Sequence, residues 1–96
     1  MEKLYATYKV SSKEQALRRA AWAGSIEDMT YLIENEKVDI NSQDQKKGLT
    51  ALHWAIKQKH RQAILWLLKQ GARKDIADAE GKKSVDYDYE GLIMWS

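Results

Sequence analysis

The chain reads as an all-α fold built from antiparallel helix pairs, on three observations. Apolar residues recur at helical spacing, as Ile64, Leu67 and Leu68 do at i, i+3 and i+4. Capping residues precede three of these runs, and a glycine closes two of them. A central segment also recurs. Leu52 in Gly48-Leu49-Thr50-Ala51-Leu52 and Val85 in Gly81-Lys82-Lys83-Ser84-Val85 stand 33 residues apart. No proline interrupts any run in the 96 residues.

Ser11 and Ser12 stand three residues before Glu14 and Gln15, the spacing of a capping box. They predict a helix over Lys13–Ala23 with a stripe of Ala16, Leu17, Ala20 and Ala21, stopped by Gly24. Ser25, with Glu27 and Asp28 in the first turn, opens a second helix over Ile26–Asn35. Its inward face is Ile26, Met29, Leu32 and Ile33. Thr50 caps a third helix over Ala51–Lys57, turning Leu52, Ala55 and Ile56 inward, and a fourth over Arg61–Gln70 ends at Gly71. Ala20, Ala21 and Ala55 let neighbouring helices approach closely. Leu17 lies 35 residues before Leu52, two more than the later interval. Loops accept insertions more readily than packed helices do. One extra residue is therefore assigned near Glu36 and one to Gln45-Lys46-Lys47. Asp88 and Tyr89 break the pattern at the end, so no full third inner helix is expected.

The stretch Gly48-Leu49-Thr50-Ala51-Leu52-His53-Trp54-Ala55 resembles the G-x-T-P-L-H-x-A motif of ankyrin repeats, with Ala51 in the place of proline. The resemblance runs from about Gln15 to Asp86. It implies a solenoid of stacked antiparallel helix pairs joined by hairpin-like loops. The implied division is a flank at 1–12, repeats at 13–44 and 45–77, a partial repeat at 78–91 and an apolar tail at 92–96. About three repeats are usually needed for stability. The flanks, with Leu4, Tyr5, Tyr8 and Val10 at one end and Leu92-Ile93-Met94-Trp95 at the other, are expected to cover the open ends. The same resemblance makes Thr50, Leu52, His53 and Gly71 structural, with His53 hydrogen-bonding within the repeat. His60 becomes a turn or capping residue. Lys59 stands where the family usually has glycine, so the resemblance leaves the geometry of the turn between helices open.

Composition narrows the chemistry. With no cysteine there is neither a disulfide framework nor a thiolate metal site. No run approaches the ~20 apolar residues of a transmembrane helix. The first residues lack the apolar core of a secretory signal. A soluble cytoplasmic protein is the expectation; delivery into a host cell, as for some ankyrin effectors of intracellular bacteria, is the alternative. Two histidines seven residues apart do not converge as metal ligands must. Ser84 has no evident base or third triad member. No phosphate loop occurs, and Asp86, Asp88 and Glu90 lack calcium-loop spacing. The expectation is no catalysis, no cofactor and no metal.

What remains is binding. The net charge is +2, yet residues 45–83 hold ten basic against three acidic groups. Clustered charge of this kind steers an acidic partner. In the layout the resemblance implies, the concave face takes Trp22 and Ala23 from the first inner helix and Gln45, Lys46, Lys47 and Leu49 from the first hairpin tip. Lys57 and Gln58 follow from the second inner helix, with Ala79, Glu80 and Lys82 from the second tip. Trp54 is expected to be partly buried between helix and hairpin, and Trp66 to lie in the core. The leading function is a protein-interaction module acting as scaffold, adaptor or inhibitor. The alternatives are a basic surface for nucleic acid or an acidic partner, and a self-assembling element. The chain is expected to be a monomer or a weak homodimer through exposed repeat ends.

Overall fold

The side chains predicted to cap helices do so in the structure, a computed structural model that describes residues 2–93 and 95. Ser12 Oγ accepts the Gln15 N–H at 3.1 Å, Ser25 Oγ that of Asp28 at 3.3 Å and Thr50 Oγ1 that of His53 at 3.3 Å. Each satisfies a donor that the helix itself leaves free. The regular elements are α1 (Glu2–Tyr8), α2 (Lys13–Ala23), α3 (Ile26–Glu34), α4 (Ala51–Lys57), α5 (Arg61–Lys69) and a 3₁₀ turn, Ser84–Tyr87. The fold is all-α, with no strand among the described residues. All four predicted helices are present. α3 and α5 each end one residue early, as helix termini commonly do. α1 was expected only as a covering flank, and its seven residues form a helix against α2. None of these helices is long and apolar enough to cross a membrane.

The inner row is α2, α4 and the 3₁₀ turn, with α3 packed on α2 and α5 on α4. Ala16, Ala20, Ala21, Ala51 and Ala55 are all buried, which lets α2 and α4 come together without side chains holding them apart. Leu17, Leu52, Ile56, Met29, Leu32, Ile64 and Leu67 fill the space around them. Ile26, Ile33, Leu68 and Trp66 are only partly buried at its margin. Leu4, Tyr8 and Val10 close one end of this core. The Tyr8 hydroxyl donates to the Asp28 carboxylate. Burial first, and the Asp28 acceptor second, raise its pKa to about 12.

The two extra residues fall in the assigned loops. Val38 N–H reaches the Leu32 carbonyl six residues back at 3.1 Å, whereas Ala72 reaches Leu67 five back at 3.0 Å. One residue has been added beside Glu36, and Lys37 takes a positive φ of 56° there. In the first tip Asp44 N–H bonds Leu49 O at 3.0 Å; in the second, Asp78 N–H bonds Lys82 O at 2.8 Å, a span one residue shorter. The second insertion is therefore within 45–47.

At the far end the burial pattern departs from the repeat register. Val85 occupies the register of Leu17 and Leu52, yet it is 38% exposed, because the inner row ends there in a 3₁₀ turn and no further helix pair follows among the described residues. Ser84, in the register of Ala51, is the residue that is buried. Its Oγ is the one buried side-chain polar atom without a hydrogen-bond partner among the described residues. The tail folds back, with Leu92, Ile93 and Trp95 packed on the core. Met94 lies outside the described residues.

Candidate functional site

Between α2 and the first hairpin tip lies an open groove of about 850 Å³. Gln15, Arg18, Arg19 and Trp22 line one wall, because spacings of three and four place them on the same face of α2. Ser42, Gln43, Asp44, Gln45, Lys46 and Lys47 form the other wall, and Trp54 of α4 lies between.

The tip is rigidly built for a loop. Asp44 Oδ1 accepts the N–H groups of Lys47 and Gly48, and the Asp44 carbonyl accepts Gly48 N–H at 3.1 Å. Gly48 has φ 69°, and a Cβ there would lie 3.1 Å from Ala79 N on the neighbouring tip. The tips are tied together by Ala79 N–H to Lys47 O at 2.9 Å. Gln43 Nε2 also bridges them, donating to Gly48 O and Ala77 O.

Charge in the groove is mostly positive. Arg18 donates to Ser42 Oγ at 3.2 Å. Its pKa lies below the usual guanidinium value because burial disfavours the cation, an effect that Asp44 and Glu14 only partly offset. Arg19 stands over the Trp22 ring at 5.7 Å. Lys46 and Lys47 are exposed. Asp44, the acidic residue of this wall, is occupied by the backbone of its own turn.

Of the residues expected on the binding face, Trp22, Gln45, Lys46 and Lys47 line this groove together. Leu49 does not: it is 1% exposed, beneath the tip it was expected to decorate, and cannot contact a partner. The bond from Asp44 N–H to Leu49 O folds the segment back so that Leu49 and Thr50 both lie beneath the tip, which proximity to the tip in sequence concealed. Lys57 and Lys82 point instead at Tyr87, their ammonium groups 5.0 and 5.5 Å from its ring centre, and Lys57 also lies 5.2 Å from that of Trp54. Gln58 is the exposed C-cap of α4, and Glu80 is exposed on the second tip. Neither lines the groove. Arg18, Arg19 and Trp54 were missed as groove residues. The signal for the arginines was the i, i+3 and i+4 spacing to Trp22.

Thr50, Leu52, His53 and Gly71 lie away from the groove. Thr50 N–H donates to His53 Nδ1 at 3.1 Å, so Nδ1 is an acceptor and Nε2 carries the proton. Nε2–H donates to Lys82 O at 3.2 Å on the next tip. Burial lowers the His53 pKa, more than the Lys82 carbonyl and Asp78 raise it. Leu52 is buried in the core, and Gly71 leaves α5 at φ 95°. His60 begins α5 without a side-chain cap bond; its Nε2 instead meets Trp22 O at 2.8 Å, tying the end of α2 to the next repeat.

A second, smaller cleft of about 280 Å³ opens among Ile56, Lys57, Lys59, Tyr87, Tyr89 and Glu90. Lys59 pairs there with Glu90, both side chains more than half exposed.

The sequence matches a family described as ankyrin repeats in three copies over residues 3–83. Over 73 residues it is 42% identical to ankyrin repeat domain-containing protein 40 of Homo sapiens and 40% identical to that of Mus musculus. Each alignment covers 76% of this chain and 20% of the relative, so the chain spans about a fifth of the length of these curated proteins.

Proposed function

The chain belongs to the ankyrin repeat family, whose members generally act as protein–protein interaction modules, and on that premise we propose that it is a non-catalytic module binding a protein partner through the α2–hairpin groove. The observation that carries this reading is Trp22. It is a large aromatic left 42% exposed in a groove that it shares with Trp54, four basic side chains and the acidic Glu14 and Asp44. Exposing so much apolar surface costs free energy in the unbound protein, and buried aromatics are the usual anchors of interfaces. Arg19, Lys46 and Lys47 around it favour an acidic segment. Scaffold, adaptor and inhibitor all remain roles that this binding would serve.

The test uses the whole chain immobilised as bait, with folded Trp22→Ala and Lys69→Ala variants beside it. Proteins retained by the unaltered chain should be depleted at least tenfold on Trp22→Ala and kept on Lys69→Ala, whose side chain lies on the outer helix. Retention by Trp22→Ala with loss on Lys69→Ala would place the binding surface on the convex side instead.

A further inference from the structure

The sequence Asp86-Tyr87-Asp88-Tyr89-Glu90 offers two tyrosines with almost the same acidic neighbours. The structure separates them. Tyr87 donates its hydroxyl to the Asp78 carboxylate, and its ring lies beside His53, Lys57 and Lys82. That hydroxyl is an occupied donor in a packed ring. Tyr89, two residues on, is 78% exposed in a turn beyond the 3₁₀ segment. The other tyrosines are also engaged or sheltered. Tyr8 bonds Asp28, Tyr31 bonds Glu36 at 3.1 Å, and Tyr5 is half-buried on α1.

We propose that Tyr89 is a phosphorylation site, the acceptor for a protein tyrosine kinase with a basic substrate cleft. Three features carry it. The ring is exposed. The backbone around it is a turn and not a long helix, so it can open locally into the extended form that an enzyme cleft takes. Asp86 and Glu90 lie on the surface on either side, Glu90 in its exposed pair with Lys59, which a competing basic cleft can replace. In the reaction the Tyr89 phenolic oxygen attacks the γ-phosphorus of ATP and forms an O–P bond. The bond to the β-phosphate oxygen breaks, ADP leaves with that electron pair, and the phenolic proton passes to the kinase's base. The product phosphate carries about −1.5 to −2 charge at neutral pH. It arises on the rim of the cleft that also contains Lys57 and Lys59, where it would compete with Glu90 for the Lys59 ammonium. This proposal is independent of the groove and stands whether or not the groove binds a protein.

The test exposes the whole folded chain to a purified acid-directed tyrosine kinase with magnesium and ATP. A random glutamate–tyrosine copolymer serves as the positive control, and the free peptide 84–92 runs in parallel. Site-resolved mass spectrometry should find both tyrosines modified in the peptide. In the folded chain Tyr89 should be modified at least tenfold faster than Tyr87. Tyr89→Phe, an exposed change that leaves the fold intact, should remove nearly all incorporated phosphate. Phosphate arriving chiefly on Tyr87 or Tyr31 would overturn the proposal. So would a folded chain left unmodified at Tyr89 while the copolymer is consumed, with or without modification of the peptide.

Discussion

His53 shows how much one side chain can join. Its Nδ1 faces Thr50 and its Nε2 the Lys82 carbonyl, linking a helix N-terminus to the next hairpin tip. His53→Ala removes both bonds and leaves buried partners unsatisfied, so stability should fall by roughly 1–3 kcal/mol in a urea titration. Protonation sets Nδ1–H against the Thr50 N–H, so the fold favours the neutral ring. The folded pKa is lowered relative to the ordinary value near 6.5. The contribution is therefore complete above about pH 6.5 and is lost as pH falls through the lowered value. Wild type should lose stability across that interval and His53→Gln should lose less; equal slopes would remove the ring from the account. Ser84 gives the opposite case. Its buried Oγ has no partner, and it stands where the preceding repeat has Ala51. Ser84→Ala should raise stability by about 1 kcal/mol, read as a higher denaturation midpoint. The Thr50–His53 pair was visible as a three-residue spacing in sequence. The orphan hydroxyl was not, because solvent access depends on what packs above it.

At the scale of the element, the turns between paired helices share two backbone bonds. Gly24 and Ser25 N–H groups return to Ala21 and Ala20 carbonyls at 3.1 and 2.9 Å, and Lys59 and His60 return to Ile56 and Ala55, both at 3.0 Å. Both turns need a left-handed residue, Gly24 at φ 75° and Lys59 at φ 61°. Lys59 therefore adopts the same left-handed geometry as Gly24 in the first turn. Lys59→Gly should relieve backbone strain and stabilise by up to about 1 kcal/mol. Gly24→Ala should be costly, because a Cβ there would lie 2.8 Å from the His60 ring, which is fixed on the Trp22 carbonyl. A loss exceeding about 1 kcal/mol is expected, and equal midpoints for the two variants would show that the turns are interchangeable. In the groove, Lys46→Ala and Lys47→Ala should chiefly slow association and flatten its salt dependence, whereas Trp22→Ala should speed dissociation. Stopped-flow measurement at two salt concentrations separates these effects. The α2 face was legible as helical spacing, but the wall opposite it was not, since the tip comes from a separate loop.

The whole molecule is a short stack whose far end is closed by its own tail. Asp88 receives Leu92 N–H at 2.7 Å, Ile93 N–H at 3.0 Å and Trp95 Nε1–H at 3.0 Å. Desolvation pushes this carboxyl upward, but those donors together outweigh it and hold the pKa below the usual carboxylate value. The Tyr87 hydroxyl does the same for Asp78, joined by Lys82 and Glu80 N–H groups against desolvation. A lowered acid pKa stabilises the fold fully above about pH 4, and the contribution disappears as pH drops through the folded value. Asp88→Asn should therefore weaken the chain at pH 7 and differ less from wild type at pH 2.5. Amide exchange at Ile93 should rise in the same variant; unchanged protection there would mean that packing alone holds the tail. The sequence by itself determined four of the helices, the side-chain caps of three of them and both insertions, because spacing and capping act within a few residues, and the 33-residue interval pointed to the stack. Tertiary structure decided that Leu49 is hidden, that Val85 is exposed and that Tyr89 rather than Tyr87 meets solvent. It also brought α2 and a distant tip together as the two walls of the groove. Those outcomes depend on which surfaces meet across the stack, and residues far apart in the chain exclude water from one another only after it has folded.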